Sequence, residues 1–340
     1  MAEKEKKRIR GTPLFILYGI LGIGLAAVFM GSLSLGASKI SFWQTLLDWN
    51  QTGRSNASLV LWEIRFPRAL LGVLVGATLG LAGAAMQGLL RNPLAEPGIL
   101  GVTGGAALGA VLVFYTGLAS IFSWALPAGG ILGAFLSVWV LYLFAGLISN
   151  VQALILAGVA INMIAFAGTS LALNLSSNPY AALDIVFWQM GSLADRSWSH
   201  VLLVLPFIII GWALLLWDRR ALDALTLGEE TALSLGISMK TVRFRLILGA
   251  ALAVGASVSV CGSIGFVGLI VPHVLRPWVS NEPGKLLGVS AWGGAILLLL
   301  SDIMVRVIPV TVELKLGVLT SLLGAPFFIL LIFQMRKKSL

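Results

Sequence analysis

Asp302 and Arg306 stand four residues apart in a run that otherwise reads as membrane-spanning, a spacing that brings a carboxylate and a guanidinium together on one helix face. An acid inside a span is what proton-coupled carriers use as a relay, and Asp302 is the best candidate for that chemistry in this sequence. Arg306 argues against it, because a neighbouring cation holds a carboxylate in its charged form. The other reactive side chains are scattered. His200 and His273 are the only histidines, and each reads as a hydrogen-bonded structural residue. Cys261, the only cysteine, lies between Val260 and Gly262 and reads as a small packed residue; a single cysteine excludes an intrachain disulfide and a multi-cysteine metal site. There is no GxxxxGK[ST] loop and no His/Cys/Asp/Glu cluster at metal spacing, so the chain has no ATPase chemistry of its own and is read as binding no metal or cofactor. What remains is charge suited to recognition: Arg65, Arg68 and Arg306.

The elements that must position these groups are membrane helices. Apolar residues make up 58% of the 340 positions and charged residues 11%, where a soluble domain carries roughly 25% charged residues. Apolar windows of about twenty residues, long enough to cross ~30 Å of hydrocarbon, recur along the chain. Helices are expected near 13–36, 66–90, 99–117, 121–147, 153–174, 199–217, 242–262, 286–306 and 314–334, with a tenth, half-length helix near 264–276. The expectation is an all-α integral membrane protein of about ten transmembrane helices in a compact, glycine-rich bundle. It divides into a cytoplasmic basic N-terminus (1–12), a single transmembrane domain (13–335) and a cytoplasmic tail (336–340).

The basic head Lys4, Lys6, Lys7, Arg8 and Arg10 and the tail Arg336, Lys337 and Lys338 put both termini in the cytoplasm, and most of the 23 Lys and Arg residues then fall on that side. The net charge of +9 therefore reports membrane orientation. No basic stripe is interleaved with aromatics, which excludes nucleic acid as a partner. The head, the apolar run and Leu35-Gly36-Ala37-Ser38 resemble a signal peptide, but the run is too long and further spans follow, so an uncleaved first helix is expected.

Small residues recur every fourth position: Gly72, Gly76, Gly80, Ala84 and Gly88; Gly101, Gly105 and Gly109; Gly249, Ala253, Ser257, Cys261 and Gly265. Such ridges let helix backbones approach closely, which is how a bundle holds together where lipid gives no hydrophobic drive. Two polar segments interrupt the spans. The outer one, about 175–198, reads as a short interfacial helix followed by a turn. The inner one carries Gly228, Glu229, Glu230, Ala232, Leu233, Leu235 and Gly236: carboxylates in a helix first turn, a glycine stop, and apolar residues that must cover something. From the residues alone it is either a surface-lying helix or a partner-docking one, about 228–240. A third island, Arg91-Asn92-Pro93-Leu94-Ala95-Glu96-Pro97-Gly98, is a proline-broken stretch between two apolar runs, either a surface turn or part of a pathway.

The run Arg65-Phe66-Pro67-Arg68, then Gly83-Ala84-Ala85-Met86-Gln87 leading through Arg91-Asn92-Pro93-Leu94-Ala95-Glu96-Pro97-Gly98 to Gly101, resembles the permease subunits of FecCD-type (type II) ATP-binding-cassette importers for iron-siderophores, haem and cobalamin. Leu156-Ala157-Gly158, Trp188-Gln189-Met190-Gly191, Gly265 to Arg276, Ser301 to Arg306 and Gly324-Ala325-Pro326-Phe327 follow in the family's order and cover nearly everything after residue 60. The resemblance implies a permease in the bacterial inner membrane, most naturally for iron-siderophore, with haem or cobalamin as alternatives. It also implies a second permease subunit, identical or related, two ATP-binding subunits that carry the ATP and magnesium, and a periplasmic or lipid-anchored binding protein. A proton-coupled secondary transporter or a non-transporting scaffold is the competing reading.

Carried over residue by residue, the resemblance makes the helix of Gly228, Glu229, Glu230, Ala232, Leu235 and Gly236 the ATPase-coupling element. Asn92, Pro93 and Leu94 narrow the cytoplasmic end of the path, with the turn Ser149, Asn150, Val151 and Gln152 as a second part of that gate. Arg65, Arg68 and Arg306 receive carboxylates of the binding protein.

Overall fold

The computed structural model describes residues 13–36, 56–122, 124–145, 151–176, 178–308 and 314–338. Its α-helices of six residues or more are α1 (Leu14–Ser34), α2 (Phe66–Leu89), α3 (Val102–Tyr115), α4 (Ala125–Ala145), α5 (Val151–Asn174), α6 (Pro179–Gln189), α7 (Trp198–Trp217), α8 (Arg219–Leu225), α9 (Glu229–Ser234), α10 (Met239–Cys261), α11 (Val267–Leu275), α12 (Pro283–Val307) and α13 (Leu316–Lys338). No strand occurs among the described residues, as an all-α membrane protein requires. Seven helices are long and apolar enough to span a bilayer, and Val102–Tyr115, Val267–Val279 and Leu316–Leu331 form shorter apolar helices.

Two boundaries differ from the sequence reading for a physical reason. The helix expected to begin near residue 66 is already helical at Asn56, and it passes through a π-helical stretch, Val60–Arg65, before α2. The backbone widens ahead of Pro67: Phe66 N–H donates to Leu61 O, five residues back, and the wider turn accommodates the proline. The other difference lies after α2. Helix α3 starts only at Val102, preceded by a 3-10 turn, Pro97–Leu100, and Gly101 at φ +82°. Fourteen residues of α helix reach ~21 Å, so the 3-10 turn makes up much of the remaining bilayer thickness. The half-length helix near 264–276 is present as α11, followed by the 3-10 turn Arg276–Val279.

The small-residue ridges pair with one another. A Cβ on Gly76 would run into the backbone of Gly294 and Ala295, one on Gly80 into Ser290 O, and one on Gly72 into the Leu299 side chain, all on α12. Gly105 and Gly109 of α3 face Gly129 and Gly133 of α4 in the same way, and Gly249 of α10 meets Gly211 of α7. Gly265 departs from the expected third ridge. Helix α10 ends at Cys261, Gly262 turns the chain at φ +71°, and nothing lies within 4 Å of a Cβ on Gly265. Helices α2 and α10 are buried within the chain, whereas α1, α5 and α7 leave most of their surface outward.

Candidate functional site

The proline-broken island is built as a folded connection. After α2 the chain reverses at Arg91, whose φ is +47°. Asn92 Oδ1 accepts from Leu94 N at 2.9 Å and Asn92 O accepts from Ala95 N at 3.1 Å, so the asparagine holds the turn from both its side chain and its backbone. Pro93 sits between them, where no backbone donor is called for. Beyond the turn, Asn162 of α5 donates Nδ2 to Gly98 O at 2.6 Å and ties the 3-10 segment to α5. Val151 opens α5 and Gln152 is exposed; Ser149 and Asn150 lie outside the described residues.

The connection forms one wall of a cleft of about 590 Å³, bounded by α3, α5, the end of α6 and the loop between α10 and α11. Its polar lining is Glu96, Thr103, Asn162, Thr169, Gln189 and Ser263; glycine, alanine, Ile99, Val159 and Phe166 supply the rest. Irregular backbone within a membrane protein is tolerated where protein covers it or a wet cavity borders it, and here the connection packs on α5 and borders the cleft. Partial burial pushes the Glu96 carboxyl above the usual carboxylate range, and the backbone N–H of Phe266 works the other way by donating to it. Phe266 is the N-cap of α11 and adopts φ +68°. Glu96 therefore joins the α2–α3 connection to the start of the half-length helix. Gln87 adds a second tie between α2 and α11, through bonds to Gly268 O and Arg276. Sequence reasoning did not single out Glu96, Asn162 or Gln189; a polar amide in the middle of the apolar α5 run was the available signal.

After α8, Gly228 (φ +109°) and Gly236 (φ +79°) bracket α9. The helix is six residues long, Glu229–Ser234, shorter than the expected 228–240 because Gly236 N and Ile237 N turn back to Leu233 O and Ala232 O and close it. Ala232 points into the core. Leu227, Leu233 and Leu235 are more than half exposed. The platform beneath is fixed by ion pairs of Glu229 with Arg243 and Asp218 with Arg245, both at 2.6 Å, and by Asp223 Oδ1 accepting from Gly284 N at the start of α12. Three exposed leucines therefore stand over a base held by ion pairs.

At the opposite end Arg65, Arg68 and Arg306 converge. Asp302, 1% exposed, accepts from both Arg68 and Arg306 at 2.9 Å, so the expected i,i+4 pair forms and α2 contributes a second cation. Arg65 Nη1 donates to Leu33 O and Ser34 O, and Arg306 Nη1 to Ser32 O and Leu35 O, all within 3.0 Å. These are the carbonyls a helix C-terminus leaves without partners, here those of α1. Beside them Trp62, Phe66 and Trp198 pack ring on ring, with Trp198 Nε1 donating to Trp62 O, as in the aromatic belts of membrane interfaces.

A polytopic helical bundle with a polar-lined cleft beside breaks in its helices is an architecture suited to a membrane permease. A model of the FecCD transport family matches residues 24–334. The hemin transport system permease protein HmuU of Yersinia pestis is 39% identical over 338 residues, covering 95% of this chain and 97% of that protein. The vitamin B12 import system permease protein BtuC of Yersinia enterocolitica is 38% identical over 338 residues, covering 98% and 95%. A solved structure described as an inward-facing conformation of a metal-chelate type ABC transporter aligns with a TM-score of 0.83 at 32% identity, over 94% of this chain and 99% of that one. The chain belongs to the FecCD transport family and is a multi-pass ABC importer permease. Such a permease works with ATPase partners, a substrate-binding protein and a second permease subunit.

Proposed function

We propose that this permease carries a bulky iron-siderophore complex inward along a path that it forms with a second permease subunit, walled on this side by the cleft between the α2–α3 connection and α5, with no chemistry on the cargo. The observation that carries this is the cleft itself: about 590 Å³, lined by scattered amides and hydroxyls, and bordered by two breaks in the helical backbone. Haem or cobalamin is the second reading, favoured by the relatives that transport hemin and vitamin B12. In the assembly, two ATP-binding subunits bind ATP and magnesium and dock on Leu227, Leu233 and Leu235 around Gly228–Gly236. The second permease, identical or related, faces this one across the path, Asn92 and Leu94 narrow its inner end, and ten spans leave both termini in the cytoplasm.

The binding protein, periplasmic or lipid-anchored, docks at the outer end, where Arg65, Arg68 and Arg306 lie. Docking there is electrostatic, so Arg68→Glu weakens it more at low salt than at high salt, which titration of the binding protein at two salt concentrations measures. The central test is uptake into proteoliposomes holding the whole complex. Ferric siderophore should enter only with ATP. Leu235→Asp should abolish uptake and ATPase association while binding-protein docking persists; normal uptake by that variant would remove the coupling assignment.

A further inference from the structure

Helix α12 begins without a cap of its own. Pro283 has no N–H, and Glu282, at the N-cap position, makes no capping bond; its carboxylate pairs instead with Lys285 at 2.7 Å. The first free donor is Gly284 N–H, and Asp223 of α8, 61 positions earlier, accepts from it at 2.7 Å. A carboxylate at that place is favoured by the bond and by the helix dipole together. Glycine makes the approach possible, since a Cβ at position 284 would run into Asp223 Oδ2 and Arg219 O. The preceding residue, Leu222, is fully buried and packs on Gly88 of α2, beside Pro283. Helix α8 thus holds the end of α2 against the start of α12, close to the chain reversal at Arg91.

On its other side α8 runs into α9 with little slack: the N–H groups of Thr226, Leu227 and Gly228 donate to Asp223 O, Ala224 O and Leu225 O within 3.1 Å. Helices α2 and α12 are themselves joined by the close approach at Gly76 and Gly80 and, further along, by Arg68 and Asp302. We propose that Asp223 is a positioning residue for coupling: by capping α12 it fixes the ATPase-docking segment to the α2–α12 pair, so that displacement of α9 shifts the turn at residues 91–94. The inference rests on the coupling reading of α9 above and names the bond through which that coupling acts. The ion pairs Glu229–Arg243 and Asp218–Arg245 lead to α10 instead. Apolar packing at Leu222 can slide, whereas a charge-assisted bond to a fixed N–H sets both distance and direction.

The test uses the full complex with its ATPase subunits in nanodiscs, in a Cys261→Ser background with Leu94→Cys as a reporter in the turn. Maleimide labelling of this chain is followed before and after addition of ATP, magnesium and vanadate. In the parent, nucleotide should change the labelling rate. Asp223→Ala should lower that response at least about fivefold with the ATPase subunits still bound, and Asp223→Asn, which keeps the acceptor, should hold it within about twofold. A response in Asp223→Ala equal to the parent's would overturn the proposal, as would an equal loss in Asp223→Asn. If Asp223→Ala does not assemble, Gly284→Ala takes its place, because its methyl group displaces the carboxylate; failure of both to assemble would also overturn the proposal, since the bond would then serve folding. No response to nucleotide in the parent would remove the coupling reading and the proposal together, so the two failures are told apart.

Discussion

Glu96 ties the α2–α3 connection to the N-cap of α11 through one backbone bond, and it does so from a position that favours its neutral form. A carboxyl whose pKa is raised on folding binds protons more readily in the folded state, so stability falls as pH rises from the ordinary glutamate range through the raised value. Below that range the group costs nothing. Glu96→Gln keeps the shape and an acceptor for Phe266 N–H without the charge. It should raise the melting temperature in detergent near pH ~8, with the gain shrinking towards zero near pH ~4; a gain of the same size at both values would show that charge is not its cause. At this scale the sequence disclosed local relations only. The Asp302–Arg306 pair follows from helical spacing, whereas Arg68 reaches Asp302 from 234 positions away and no local pattern announces it. Ala232 was read among the residues that cover a partner, yet it faces inward; a six-residue helix is too short for periodicity to fix which side is which.

Helix faces were legible because glycine at every fourth position marks a ridge whatever lies opposite. The partner of each ridge was not, since Gly76 and Gly294 are brought together only by the packing of α2 on α12. Gly80→Leu forces a side chain into the Ser290 backbone, which cannot rotate away. Overpacking costs about 1–3 kcal/mol where side chains can adjust, and this contact leaves less room to adjust. The variant should therefore melt well below the parent in detergent, as followed by size-exclusion after heating, while an unchanged profile would mean that α2 and α12 do not meet at Gly80. Element lengths explain the remaining misses. The π-helical widening before Pro67 and the 3-10 entry to α3 both depart from a 3.6-residue repeat, and hydropathy windows average over such departures.

For the whole molecule, composition alone disclosed the membrane, and the distribution of basic residues supplied an orientation. With ten spans and both termini inside, Tyr180 on α6 and Ser234 on α9 lie on opposite sides, and both are exposed. In a Cys261→Ser background, single cysteines at these positions should label from the periplasmic and cytoplasmic faces respectively. Same-sided labelling would remove the ten-span count. The fastening of α1 bears on how such a chain is assembled. Helix α1 leaves the ribosome ahead of the other described helices, packs few of its residues inside the protein, and is secured at its outer end in part by Arg306, some 274 positions later. Closure over so long a stretch of chain comes late, so until α12 is made Arg65 is the only one of the two arginines that can cap the end of α1, and the carbonyls of Ser32 and Leu35 wait for Arg306. A chain truncated before α12 keeps its first helix and loses Asp302 and Arg306, two of the residues that hold it in place. A helix that enters the membrane before the rest of the described bundle is thus among the last to be committed fully to the fold, and quality-control proteases that sample loosely held helices would find their substrate at α1 when the fault lies at α12.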